Sequence, residues 1–153
     1  MTILLTGGAG FIGSHMAAHL LSGQVKFVVV DNLSNTDKTN LDILSKHFNR
    51  EIPFYKCDLR DKDRLRRVFS ENGIISIIHF AGLKSVADSV VNPGLYHDNN
   101  VTGSEVLMDV AEEFEVDNFI FSSSATVYGE PQYLPFDEEH PLSAANPYAQ
   151  TID

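Results

Sequence analysis

The sequence contains little cysteine, few basic residues and no long apolar run, and each shortage excludes a class of protein. Its single cysteine, Cys57, cannot form an internal disulfide, which indicates a reducing compartment and predicts a cytoplasmic protein. Lys and Arg number 11 against 21 Asp and Glu, so the net charge of −10 disfavours nucleic acid and anionic membranes as partners. The apolar runs fall far short of the ~20 residues that span a bilayer, and no basic segment precedes an apolar one as in a signal peptide.

Internal repeats, low-complexity tracts and Gly- or Ser-rich linkers are also missing, which predicts a single domain over residues 1–153. Apolar residues make up 43% of the chain and charged residues 21%, values that are ordinary for a globular protein. A chain of 153 residues is long enough to bury a hydrophobic core without disulfides or a structural metal.

The chain does contain a regular alternation of short apolar runs with longer mixed segments. Five of the runs are predicted to be strands, at residues 3–6, 25–30, 52–55, 74–80 and 118–122. Those at 27–30, 74–78 and 119–121 are nearly continuous in apolar residues, as in strands buried on both faces of a parallel sheet. The segments between strands carry apolar residues at helical spacing, such as Ile12, Met16, Leu20 and Leu21. This alternation predicts an α/β fold built on a doubly wound parallel sheet of about five strands.

A glycine-rich segment joins the first predicted strand to the first predicted helix. It contains the pattern G-x-G-x-x-G at Gly8, Gly10 and Gly13, and the same spacing is also opened by Gly7. Glycine permits the tight turn and lets the backbone approach a pyrophosphate, while the helix N-terminus supplies N–H donors. The position between a strand and a helix is the context that a dinucleotide-binding motif requires.

Acidic residues follow the second and third predicted strands. Asp31 stands about 20 residues beyond the glycines, where a carboxylate binds ribose hydroxyls and repels a 2′-phosphate. Because residues 32–35 contain no Arg to receive such a phosphate, the pattern favours NAD over NADP. Asp58 has two interpretations that the sequence leaves open, either binding the adenine amino group or capping a turn or helix.

The fourth predicted strand leads into the segment 80–84, and the fifth leads into the segment 122–129. The segment 122–129 begins with three serines. Their hydroxyls are either caps and turn formers or ligands at the carboxyl edge of the sheet. The proline-rich residues 129–147 are predicted to form a loop, after which Tyr148 begins a helix that presents a phenol toward that edge. His15 and His19 have helical spacing for a metal, but no third ligand accompanies them, so no metal site is expected.

Together these segments resemble the extended short-chain dehydrogenase/reductase family, and within it the UDP-glucose 4-epimerase group. The resemblance runs from residue 2 to about residue 151, and residues 79–84 and 122–129 are its most specific parts. It implies an NAD-binding Rossmann fold in which the cofactor is held by Gly7, Gly10, Phe11, Ile12, Gly13, Asp31, Asn32, Asn35, Asp58, Leu59, Phe80, Ala81, Gly82, Lys84 and Asn99.

The resemblance also implies the chemistry, a redox-neutral removal and return of hydride at C4 of a UDP-sugar. Ser124 matches the residue that hydrogen-bonds the sugar 4-hydroxyl, and Tyr148 matches the acid/base tyrosine. The related sugar-nucleotide dehydratases place Thr-Asp-Glu where this chain has Ser124-Ala125-Thr126, which lacks the acids for water elimination. A non-enzymatic nucleotide-binding or self-associating module is the remaining alternative.

The chain departs from the family at the catalytic helix. The family sequence is Tyr-x-x-x-Lys, whose lysine binds the nicotinamide ribose and activates the phenol, whereas here Ile152 occupies the lysine position and Asp153 is the last residue. We therefore expect a chain truncated before the last strand and the substrate domain, and inactive by itself. Its expected partners are a UDP-sugar in a complete enzyme, a second copy of the chain, or a complementing C-terminal chain.

Overall fold

The short apolar runs form one parallel sheet in the computed structural model, which describes residues 1–153. Its strands are paired in the order β3-β2-β1-β4-β5, so the chain builds outward from β1 in both directions. The carboxyl ends of the strands beside such a reversal are where open α/β sheets bind ligands. The strands are β1 (Thr2–Thr6), β2 (Phe27–Asp31), β3 (Phe54–Lys56), β4 (Ile74–His79) and β5 (Asn118–Phe121).

Seven α-helices lie between and after the strands, with a π-helical turn at His97–Thr102 and a 3-10 turn at Ala125–Tyr128. The second, fourth and fifth helices were not predicted from the sequence, because they are short or have few buried residues. None of the helices combines the length and the apolar composition that crossing a bilayer requires. The helices are α1 (Phe11–Ser22), α2 (Thr39–Phe48), α3 (Lys62–Asn72), α4 (Val86–Val91), α5 (Pro93–Tyr96), α6 (Gly103–Glu113) and α7 (Pro147–Gln150).

The chain divides into two compact units. The first comprises Met1–Ala81 and Glu105–Ser122, which include the whole sheet, α1 to α3 and most of α6. The second comprises Gly82–Ser104 and Ser123–Asp153, which include α4, α5, both irregular turns and α7.

The first unit is doubly wound, as predicted. Side chains alternate along the strands, so Leu4 and Val28 belong to one core cluster while Leu5 and Val29 belong to the other. The first cluster includes Leu65, Val68 and Phe69 of α3 and Leu107 and Val110 of α6, and the second includes residues of α1 and α2. The predicted strands are confirmed to within two residues at each end.

At two places the burial differs from what the apolar pattern alone indicates. On α1 the buried face is formed by Gly13, Ala17, Leu20 and Leu21, whereas Ile12 is 47% exposed, because the helix approaches the sheet on its glycine side. The apolar run at 119–121 is not buried on both faces, since Ile120 is 58% exposed. This strand, β5, lies at the edge of the sheet and pairs only with β4.

An ion pair joins α3 to α6 on the surface of the first unit. Arg66 donates from Nε to Glu113 Oε2 at 2.7 Å and from Nη2 to Oε1 at 2.8 Å. These bonds hold the pKa of Glu113 at about 2, below its ordinary value of 4.5. A carboxyl whose pKa is lowered by folding stabilises the fold above its unfolded pKa, and this contribution is lost as the pH falls through the folded pKa.

We predict that Glu113→Gln is less stable than the wild type at pH 7, and that the difference disappears as the pH falls from about 4.5 to about 2. The effect is expected to be small and to shrink further in added salt, because the pair is exposed. Urea unfolding at several pH values measures it. Glu112→Gln is the matched control on the same helix, and an equal loss in both variants would contradict the assignment.

Cys57 follows β3 and is buried, being only 3% exposed. Burial, followed in size by the nearby Asp61 carboxylate, raises the pKa of its thiol to about 11. Since the thiolate is the reactive form, we predict that Cys57 reacts with a disulfide reagent at pH 8 far more slowly in the folded chain than in urea. Equal rates in the two conditions would contradict this prediction.

Candidate functional site

The turn from β1 to α1 requires glycine at two positions. Gly7 has a φ of +67°, and an added Cβ would lie 2.5 Å from the Ala81 nitrogen. A Cβ on Gly13 would lie 2.2 Å from the Gly7 carbonyl oxygen, so α1 is in backbone contact with the turn. Gly10 is the N-cap of α1 and provides no side-chain cap. The first turn of α1 therefore packs against a tight glycine turn, and no side chain caps its amide groups by a hydrogen bond. A helix N-terminus of this kind can bind a pyrophosphate.

Asp31 is the last residue of β2 and is held against this turn. Its Oδ2 accepts a hydrogen bond from Ala9 N at 3.1 Å, and its Oδ1 accepts one from Leu33 N at 2.9 Å. The side chain is therefore fixed at the carboxyl end of β2, where the residue is 8% exposed. Each carboxylate oxygen can accept a second bond, so the group retains acceptor capacity for a pair of hydroxyls.

Asp58 lies after β3 in a network with Asn32 and Arg60. Arg60 donates from Nε to Oδ1 and from Nη2 to Oδ2, both at 2.8 Å, and Asn32 Nδ2 donates to Oδ2 at 3.0 Å. Arg60 is the main reason that the pKa of the Asp58 carboxyl lies well below its usual range.

Two roles were left open for Asp58, and the structure contains one of them, the capping of a turn. Its Oδ1 accepts a hydrogen bond from Arg60 N at 3.0 Å. The cap of α3 is instead Asp61, which accepts from Arg64 N. Arg60 was not predicted from the sequence, although a cation two residues after an acid at a strand end indicates such an ion pair.

The remaining predicted cofactor residues of the first unit differ in exposure. Phe11 is 77% exposed and Ile12 47% exposed at the start of α1, and Asn35 is also exposed. Leu59 is buried, while Phe80 and Ala81 are half-buried directly after β4. Phe80 N donates to the Thr6 carbonyl at 3.1 Å, which keeps this segment beside the end of β1.

In the second unit, the Gly82-Leu83-Lys84 segment is tied to the π-helical turn. Asn100, which is 4% exposed, accepts from Leu83 N at 2.8 Å and donates to the Leu83 carbonyl at 3.0 Å. The predicted residue Asn99 donates to Asn100 Oδ1 at 2.9 Å, and Lys84 is exposed. Asn100 itself was absent from the predicted site residues, because its long-range partners are invisible in the sequence.

Ser124 and Tyr148 also belong to the second unit, where the 3-10 turn Ala125–Tyr128 contacts α7. Ser124 is the N-cap of that turn, and its Oγ accepts from Thr126 Oγ1 at 3.0 Å and from Thr126 N at 3.4 Å. Both acceptor positions of the hydroxyl are thus used within the chain, and its O–H remains a donor. Tyr148 begins a helix as predicted and is 7% exposed, and Ile152 in the turn after it is half-buried.

Comparisons with known proteins agree over nearly the whole chain. The family model described as GDP-mannose 4,6 dehydratase matches residues 4–151. UDP-glucose 4-epimerase GEPI48 of Cyamopsis tetragonoloba is 51% identical over 153 residues, covering 98% of this chain and 44% of the relative. The UDP-glucose 4-epimerase of Bacillus subtilis is 47% identical over 151 residues, covering 99% of this chain and 44% of the relative. This chain therefore spans about 44% of the length of these relatives.

Solved structures show the same similarity. The UDP-glucose 4-epimerase from Bifidobacterium longum, in complex with NAD+ and UDP, superposes with a TM-score of 0.96 at 42% identity, covering 99% of this chain and 46% of that one. A dTDP-glucose 4,6-dehydratase from Streptomyces venezuelae, with NAD and TYD bound, gives 0.90 at 31% identity, covering 99% and 48%. By its match to the family model over residues 4–151, this chain belongs to the GDP-mannose 4,6 dehydratase family.

Proposed function

We propose that this chain is the NAD-binding part of a UDP-glucose 4-epimerase. The observation that carries the proposal is the hydrogen bond from Ala9 N to Asp31, which joins the glycine turn to a fixed carboxylate at the end of β2. A backbone cradle for pyrophosphate beside an acceptor for ribose hydroxyls fits a dinucleotide without a 2′-phosphate. Relatives named UDP-glucose 4-epimerase, and a solved one in complex with NAD+, support the choice of NAD and of a UDP-sugar.

The residues proposed to hold NAD have separate tasks. In the first unit, residues 7–13 bind the pyrophosphate and Asp31 binds the adenosine ribose. Asn32 and Asp58 lie at the adenine end of the cofactor. By the family resemblance, the others are Asn35, Leu59, Phe80 and Ala81 in the first unit and Gly82, Lys84 and Asn99 in the second. When bound, NAD supplies an acceptor and then a donor of hydride at C4 of the sugar.

The proton chemistry is proposed to belong to Ser124 and Tyr148. The acceptor positions of the Ser124 hydroxyl are used by Thr126, so its O–H is available as the donor to the sugar 4-oxygen. Tyr148, as a phenolate, would take the 4-hydroxyl proton to become a phenol and later return that proton. An ordinary phenol with a pKa near ~10 is a poor base at neutral pH and needs a neighbouring cation, but residue 152 is Ile. The 153-residue chain is therefore proposed to bind NAD without epimerising sugars by itself.

A dehydratase is the second candidate, because one of the similar structures is a dTDP-glucose 4,6-dehydratase. Loss of water needs an acid and a base near the leaving hydroxyl. The turn at residues 125–128 is Ala-Thr-Val-Tyr and contains no carboxylate, which favours epimerisation.

Conversion of UDP-galactose to UDP-glucose in the presence of NAD tests the proposed function. We expect no conversion by the chain alone, and conversion when a C-terminal part of an epimerase such as that of Bacillus subtilis is supplied. Tyr148→Phe in the complemented protein is expected to lower the rate by about 100-fold or more, as for loss of a general acid/base. Full turnover by the chain alone would contradict the proposed dependence on a cation and on a further segment.

A further inference from the structure

Ser89 of α4 is a fully buried serine with a partner far away in the sequence. Its side chain is 0% exposed, and its hydroxyl donates to the Val86 carbonyl at 2.7 Å. The same Oγ accepts a hydrogen bond from the backbone N–H of Tyr148 at 3.1 Å. Both residues belong to the second unit, where α4 and α7 are in contact.

The Tyr148 amide needs such an acceptor because of its place in α7. The first amides of a helix have no acceptor within the helix. Pro147 has no N–H, and the Asn146 side chain accepts from Ala149 N at 2.8 Å, so the N-cap serves the third position. The amide at the second position, that of Tyr148, bonds to Ser89 instead.

The carbonyl of Tyr148 is also hydrogen-bonded, so both its N–H and its C=O groups have partners. Thr151 donates to this carbonyl from Oγ1 at 2.7 Å and from its backbone N at 3.0 Å. With both polar groups of its peptide units bonded, the residue has a defined Cα–Cβ direction. The phenol oxygen lies at the far end of the side chain, so a small rotation of this backbone moves it by a larger distance. A misplacement of about 1 Å can cost a catalytic group about 100-fold in rate.

We infer that Ser89 is a positioning residue for Tyr148, which sets the direction of the phenol by binding the Tyr148 amide. The inference rests on the proposed function only for the chemical role of Tyr148. In a purely structural interpretation, the hydrogen bond that matters for the Ser89 hydroxyl is the one to the Val86 carbonyl, and its contact with Tyr148 is incidental packing. The two interpretations differ in what happens to the Tyr148 amide and ring when the hydroxyl is removed.

The test is NMR on the full 153-residue chain, comparing Ser89→Ala with the matched control Ser85→Ala. Ser85 is the N-cap of the same helix and accepts from Asp88 N, so its loss weakens α4 without removing the bond to Tyr148. We expect amide exchange at Tyr148 to become about tenfold faster in Ser89→Ala, as for the loss of one hydrogen bond, and its ring resonances to move toward random-coil positions. Ser85→Ala is expected to change neither.

Ser89→Cys is slightly larger and replaces the hydroxyl by a weaker acceptor, so it is expected to give intermediate exchange and carries the test if Ser89→Ala does not fold. Unchanged exchange and unchanged ring resonances in the Ser89 variants, or equal changes in Ser85→Ala, would overturn the inference. In the complemented enzyme, Ser89→Ala is expected to lower kcat while leaving KM for UDP-galactose unchanged. If Tyr148→Phe retains full turnover, the proposed role of Tyr148 fails, while the NMR result still decides whether Ser89 positions it.

Discussion

Gly13→Ala is expected to destabilise the fold by about 1–3 kcal/mol and to weaken NAD binding by about 100-fold or more. The added Cβ would lie 2.2 Å from the Gly7 carbonyl oxygen and 2.6 Å from the Gly8 Cα. Both contacts are with backbone, so the strain cannot be relieved by a side-chain rotation and the turn must move away from α1. Moving the turn disrupts the amide groups proposed to bind the pyrophosphate, and each charge-assisted hydrogen bond contributes about 1.5–3 kcal/mol.

Urea unfolding measures the first effect and calorimetric titration with NAD the second. Gly94→Ala is the control, since an added Cβ on Gly94 in α5 meets nothing within 4 Å. It is expected to leave NAD affinity unchanged and stability equal or slightly higher, because alanine favours a helix over glycine. Wild-type affinity in Gly13→Ala would show that the glycine contact has no part in cofactor binding.

Asp31→Asn is expected to weaken NAD binding by about 10- to 100-fold and to reduce the preference for NAD over NADP. The carboxylate accepts from both Ala9 N and Leu33 N, whereas an amide can accept through its single oxygen. One backbone N–H therefore faces an NH2 group, and the ribose hydroxyls lose a charged acceptor. The repulsion of a 2′-phosphate is removed at the same time, so NADP should lose less affinity than NAD.

Titrations of both dinucleotides, with Asp37→Asn as the control, measure this effect. Asp37 is exposed in the same segment of the chain and accepts from Thr39 N at 2.8 Å, a bond that the asparagine oxygen can retain. The control is expected to bind both dinucleotides like the wild type. Equal losses of affinity for NAD and NADP in Asp31→Asn would indicate a structural effect and no role for Asp31 in discriminating between the two dinucleotides.

The elements that could be predicted from the sequence are those with a local signal. Each strand contains part of a short apolar run, the glycine turn directly follows β1, and Asp31 ends β2. Tyr148 was expected to begin a helix because Asn-Pro precedes it, and the structure has α7 at Pro147–Gln150.

What could not be predicted depends on contacts between distant residues. The bond from Asn32 to Asp58 exists because β2 and β3 are neighbours in the sheet, and the one from Tyr148 to Ser89 because α7 contacts α4. The exposure of Ile12 could not be predicted either. The buried side of α1 is determined by the close contact between Gly13 and the backbone of the glycine turn. Apolar periodicity placed Leu20 and Leu21 on the buried face of α1 correctly but indicated Ile12 in place of Gly13, because glycine carries no hydrophobic signal.

Calorimetric titration of the wild-type chain with NAD, and in parallel with NADP, tests the central claim most directly. The proposed site predicts saturable binding of one NAD per chain and weaker binding of NADP, because Asp31, fixed by Ala9 N and Leu33 N, is proposed to accept the ribose hydroxyls and to repel a 2′-phosphate. No measurable binding of NAD to a folded chain, or binding of NADP as tight as that of NAD, would contradict the account.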